Sequence, residues 1–221
     1  MEDLKGRQPD CVEVAEDLSA DKGYDSTKNN KWLWDKCEIK PLIDIRSLWK
    51  LDETKLIDQE KADNVVYDEA GKVYCVSPAK EPEQRELAFD GFESYRECLK
   101  YRCPAAAYGS DCAGRKQCGR GSYGDYGRVV RVKLETDRRI FTPIARSSYA
   151  WPRGYKRRSA VERVNSRLDG SFQFERHYIR GLNKMQFRVG LALIIMLALA
   201  VGHLKDGQID KIRSLVQPRA A

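Results

Sequence analysis

The chain has 221 residues, 42% of them hydrophobic and 33% charged, with a formal net charge of +7. This composition excludes a disordered or fibrous chain and allows one sizeable core with an inserted subdomain. Charge is unevenly placed. Residues 1–100 carry 16 Lys and Arg against 24 Asp and Glu, and residues 138–188 carry 13 against 3. A basic block inside a folded region reads either as a solvated surface or as a face for a polyanion.

Residues 1–17 are acidic and lack an apolar core, so they do not read as a secretory signal. They read as a helical or irregular lead-in, broken at Pro9. Residues 18–20 read as the end of a short strand before Asp21. Gly23 permits a tight turn, and Asp25 or Ser26 caps a helix to about Cys37. Residues 39–45 read as a short buried strand. From 47 to 147 the signals are β and turn. Residues 65–77 form a hairpin turning at Ala70 and Gly71, and residues 128–145 supply later strand. Between them lies a Gly- and Cys-rich stretch with little periodicity. From Ser148 the pattern is helical, with a helix over about 154–168 ended by Asp169 and Gly170, and a last helix over about 182–204.

Residues 189–201 are an unbroken apolar run. A spanning helix needs roughly 20 such residues, and Arg188 and Lys205 bracket this run. It is therefore expected as a buried core helix and not in a membrane. Seven cysteines without secretory features suggest reduced thiols or a metal site in the cytoplasm, not a disulfide framework. Cys75, Cys103, Cys112 and Cys118 are the candidate ligands of a structural Zn²⁺, with plain thiols as the alternative. Two histidines exclude a His-rich metal centre and weigh against a Ser-His-Asp triad.

The chemistry concentrates on the basic helix. At about 100° per residue, Tyr155, Arg158, Glu162 and Asp169 share one face, with Lys156, Arg157, Arg163 and Arg167 around it. Cations favour the ionised form of Glu162, which makes it a poor general base and a good ligand for Mg²⁺ or Mn²⁺. The arginines beside it suit phosphate. A two-metal phosphodiester site needs carboxylates from separate elements, and Asp21 at a strand end is the second candidate. The competing reading has Asp21 capping a turn and Glu162 in surface ion pairs.

Asp21-Lys-Gly-Tyr-Asp-Ser26 resembles the second-aspartate motif of bacterial insertion-sequence transposases of the DDE class. Tyr155, Arg158 and Glu162 match that class's Tyr-x2-Arg-x3-Glu-x6-Lys signature, except that Asp169 stands where Lys is usual. Residues 162–167 and 177–182 and the apolar last helix also resemble the end of such enzymes. The resemblance implies an α/β, RNase H-like transposase core, N-terminally truncated. Residues 1–46 hold the second acid, 47–147 form a β-rich insertion, 148–205 form the helical part of the core, and 206–221 are a tail. It implies Mg²⁺-dependent cleavage and strand transfer at transposon ends, with Asp21 and Glu162 as the second and third triad acids. Tyr155 and Arg158 would contact DNA of the terminal inverted repeats. No strand bearing a first acid precedes Asp21, so the expectation is a fragment inactive alone. The expected partners are DNA and a second copy or a missing N-terminal portion, near the nucleoid. The alternatives are a non-catalytic DNA-binding remnant and a zinc-stabilised interaction module.

Overall fold

The computed structural model describes residues 2–58, 64–77, 83–114 and 126–212. It divides into two compact units, Met1–Arg157 and Arg158–Ala221. Two short helices, α1 (Glu2–Arg7) and α2 (Pro9–Val14), open the first unit, and Pro9 begins α2, where its missing N–H costs nothing. Strand β1 (Asp17–Ala20), helix α3 (Thr27–Cys37) and strand β2 (Lys40–Ile43) then make a βαβ unit. β1 and β2 are parallel, with Ala20 opposite Ile43. Ser26 caps α3 by accepting the Asn29 N–H at 3.1 Å. Glu38, in the left-handed conformation at φ 55°, ends the helix. Leu33 from α3 packs with Val12, Ile39 and Ile43 in a small core.

The strands that follow are all antiparallel. β3 (Thr54–Leu56), β4 (Val65–Asp68), β5 (Val73–Val76) and β6 (Gln84–Glu86) form one sheet in that order. β4 and β5 are the expected hairpin, with Gly71 at φ 81° in its turn. β7 (Ala88–Glu93), β8 (Cys98–Arg102) and β9 (Val129–Lys133) form the other sheet, with α4 (Pro104–Tyr108) following β8. One core serves both sheets, with Tyr67, Leu99, Tyr101, Val132, Leu134 and Phe141 among its members. The expected strand run over 128–145 is shorter than read. β9 stops at Lys133, and Ile140, Phe141 and Ala145 are buried from irregular backbone. Burial alone made that stretch look like strand.

Helix α5 (Ala150–Tyr155) lies over the parallel pair. Its Gly154 is forced by proximity, because a Cβ there would stand 2.6 Å from Leu42 Cδ1. Ser19 Oγ donates to the Gly154 carbonyl at 3.3 Å. The expected single helix over 154–168 is two helices. A 3₁₀ turn (Lys156–Arg158) separates α5 from α6 (Ser159–Phe172). Asp169 and Gly170 do not end α6, which runs on to Phe172 and stops where Gln173 turns left-handed at φ 53°. Glycine weakens a helix by only about 1 kcal/mol, which neighbouring turns outweigh here. The last helix, α7 (Leu182–Lys205), has nearly the expected bounds. Its setting differs from the expectation of a buried core helix, since Ala192 is its only buried residue. By length and composition α7 could also cross a bilayer. Such a helix in isolation is weak ground for a membrane protein.

Candidate functional site

Asp21 directly follows β1, at the carboxyl end of the parallel pair, where open α/β sheets place their ligand sites. The residue is exposed. Its Oδ1 accepts the Lys22 N–H at 2.8 Å, which fixes the carboxylate over the 3₁₀ turn Lys22–Tyr24. Asp44 follows β2 as Asp21 follows β1. Its N–H reaches the Ala20 carbonyl at 3.4 Å, so two acids stand side by side at the ends of adjacent strands. Asp44 was not singled out from sequence. A parallel βαβ reading of residues 17–43, with the strands in register, would have found it.

Asp25 is a structural anchor. Its side chain is 0% exposed, and Oδ2 accepts Arg139 Nε at 2.8 Å and the Arg46 N–H at 2.8 Å. Oδ1 is buried without a partner. Arg139 bridges onward, donating Nη2 to Glu69 Oε1 at 2.7 Å and to the Arg46 carbonyl. Burial alone would raise the Glu69 pKa. The hydrogen bonds from Arg139 and from the Leu48 and Trp49 N–H groups outweigh it and hold the carboxyl below its ordinary value. Arg46 Nη2 donates to the Gly23 carbonyl at 3.2 Å, so the turn beside Asp21 is tied from below. Arg146 packs into the same region and donates to the Ile43 carbonyl at 2.7 Å. Burial brings its guanidinium down to about 10, against the pull of Asp25 and Asp44. Sequence reading gave Asp25 only a capping role. Its anchoring partners lie 21 and 114 residues away, beyond any local pattern.

The basic-helix residues divide between the units. In the first, Tyr155 stacks on Trp151 with ring centroids 4.9 Å apart. Arg157 donates Nη2 to Asp17 Oδ2 at 2.6 Å, which ties α5 to the start of β1. In the second, Glu162 stands in the first turn of α6, 58% exposed, and Arg158 Nη1 meets its Oε1 at 2.8 Å. Arg163 donates to Ser159 Oγ at 2.7 Å. Glu162 and Asp169 line one hollow of ≈ 710 Å³ with Asn165, Ser166, Gln173 and Arg176. Glu162, Arg163, Ser166 and Arg167 line the next, of ≈ 410 Å³. The shared face expected for Arg158, Glu162 and Asp169 is therefore present on α6 and the turn before it, while Tyr155 belongs to α5. Lys156 lies in the 3₁₀ turn between them.

Among the described residues, no three His, Cys, Asp or Glu side chains gather closely enough to hold a metal ion. Asp21 and Asp44 offer oxygen ligands of the kind Mg²⁺ takes, yet they are too few to fix it. Cys103 and Cys112 are free thiols, and the Cys75 sulfur accepts Asn64 Nδ2 at 3.5 Å. These three form no metal-holding group, and Cys118, the fourth expected zinc ligand, lies outside the described residues.

A parallel βαβ unit ending in acids, antiparallel sheets and helices give the chain a mixed α/β architecture. The chain matches the family of transposase DDE domains over residues 8–198 and belongs to that family. This gives it a role in DNA transposition, with DNA as the partner the family implies; its members generally use divalent metal ions. No curated protein and no solved structure matches the chain.

Proposed function

We propose that this chain is the catalytic-domain portion of a DDE transposase with an RNase H-like core, acting on the terminal inverted repeats of a bacterial insertion sequence. Asp21 is its second triad acid and Glu162 its third. Tyr155, Lys156, Arg157, Arg158, Arg163 and Arg167 face the DNA backbone, with Asp169 replacing one cationic phosphate contact. The placement of Asp21 carries the reading. It is an exposed carboxylate at the carboxyl end of a parallel strand, held in position by an Asp25–Arg139–Glu69 network underneath. With a further acid beside Asp21, Asp21 and Glu162 are the residues of this chain that would hold a divalent metal, which would supply Lewis-acid polarisation of the phosphodiester. The protein groups hold phosphate and orient the strand. Among the described residues no third carboxylate joins Asp21 and Asp44, and on this reading the chain alone does not cut DNA.

Fluorescence anisotropy on transposon-end duplex and a Mg²⁺ cleavage assay test both halves. Binding is expected to weaken steeply with salt, because phosphate contacts release counterions. The same protein is expected to leave the duplex uncut. Efficient cutting by the chain alone would overturn the claim of inactivity, and failure to bind at low salt would overturn the DNA-binding reading.

A further inference from the structure

The turn from α6 into α7 carries a hollow of ≈ 770 Å³ that the triad residues do not share. Arg180, Lys184 and Arg188 bring three cations to its lining, and no acid lies among the lining residues. Tyr178, Phe187 and Leu191 supply apolar surface. Tyr178 is fully exposed and Phe187 is 70% exposed, and neither has a ring or cation contact among the described residues. The surroundings are fixed. The Ile179 N–H donates to His177 Nδ1 at 3.1 Å, which pins the backbone beside Tyr178. Arg188 Nη2 donates to the Phe172 carbonyl at 2.7 Å and its guanidinium lies over the Phe174 ring, which ties α7 to the end of α6. Arg188 is thereby occupied, whereas Arg180 and Lys184 pair with no carboxylate among the described residues.

Each half of this lining selects a different part of a ligand. Cations without acids hold an anion, and the Arg180 fork suits a phosphate. Open aromatic rings offer a stacking face to a flat π system. A nucleotide joins the two, and the partner that the family implies is DNA. Inside a duplex every base is already stacked on its neighbours, so only an unpaired base has a face to give. We propose that this hollow holds one unpaired nucleotide of a DNA strand, with the base stacked on Tyr178 and the phosphate held by Arg180 and Lys184. Asn183 lines the same hollow, and its amide both donates and accepts, so it meets the edge of any base. The site is therefore tolerant of sequence and selective for single strand. It rests on DNA as the partner and not on the assignment of the triad.

Fluorescence anisotropy with labelled oligothymidylate, and separately with a blunt duplex, is the test. Tyr178→Ala is expected to weaken oligothymidylate binding about tenfold, since a stacked base is lost, and to change duplex binding by less than about twofold. Tyr178→Phe keeps the ring and is expected to bind as the wild type does. Lys184→Gln removes one phosphate contact and is expected to lower the slope of log affinity against log salt by about 0.7 on the single strand. Because Tyr178 is fully exposed, its variants keep the fold. An oligothymidylate affinity indifferent to Tyr178→Ala overturns the proposal, as does an equal loss on both DNAs. Displacement by micromolar thymidine monophosphate makes the ligand a free nucleotide and overturns the DNA strand. Preference of the wild type for phosphatidylserine vesicles over oligothymidylate overturns it in favour of a lipid headgroup. A wild type that binds duplex but not oligothymidylate sinks the hollow alone, and one that binds neither sinks the DNA-binding reading with it.

Discussion

The two units use apolar residues in opposite ways. In the first, Leu33, Leu42, Leu99, Tyr101, Val132 and Phe141 are at most 1% exposed, and polar Asp25 and Arg139 are drawn inward with them. In the second, Ala192 is the one buried hydrophobic among the described residues, while a 24-residue helix presents most of its apolar surface outward. Hydrophobic content therefore does not by itself locate a core. The first unit gains from burial what the second leaves exposed. The candidate acids follow the same division. Asp21 rests on a buried framework, and Glu162 on a helix whose own charges are solvated.

The contrast is broken most severely by removing the tie under Asp21. Arg139→Met leaves Asp25 buried without its cation and is expected to cost about 3–5 kcal/mol, as for other buried pairs missing one partner. Urea unfolding measures it, and a loss below about 1 kcal/mol would mean that the network is not closed to solvent. Leu99→Ala, at 0% exposure, is expected to cost about 2–5 kcal/mol through the cavity it leaves.

High pH sharpens the same division. Burial, helped by Asp137, pushes the Tyr67 hydroxyl up to about 12, and burial does the same for Tyr101. A raised folded-state pKa means that the folded protein holds its proton where the unfolded chain has lost it. The stabilisation is complete below the unfolded value of about 10 and is lost as pH rises toward about 12. Urea midpoints should therefore fall across that window. Tyr67→Phe, which has no hydroxyl to ionise, should flatten the fall. An unchanged slope would place the hydroxyl in contact with solvent.

Much of the fold was legible where local chemistry and tertiary demand agree. Ser26 caps α3 as its position suggests, Gly71 turns the β4–β5 hairpin, and the apolar series from 182 forms one helix. Where they diverge, sequence misled. Asp169 and Gly170 look like a helix end but are absorbed into α6, because Gln173 supplies the left-handed stop. The burial of Ile140 and Phe141 mimics strand. The place of Asp21 just after a strand was legible in the sequence. The roles of Asp25, Arg139 and Asp44 were not, because they come from contacts across 21 to 114 residues or from strand register. Ser26→Ala tests the legible class. The lost cap should cost about 1 kcal/mol, well below the effect at Arg139.

The smallest expected effect bears most on function. Glu162 is 58% exposed, and its partner Arg158 is one turn away on the same face. An exposed pair at this spacing contributes about 0.3–0.5 kcal/mol, so Glu162→Gln should barely move the urea midpoint. Asp21→Asn should also leave stability within about 0.5 kcal/mol, since among the described residues the exposed carboxylate accepts only the Lys22 N–H. One of these acids stands at a strand end and the other beside a row of arginines, and neither is needed by the fold, as the proposed triad requires. Should either substitution destabilise the protein by more than about 2 kcal/mol, that acid belongs to the framework, as Asp25 does, and its assignment to the triad fails.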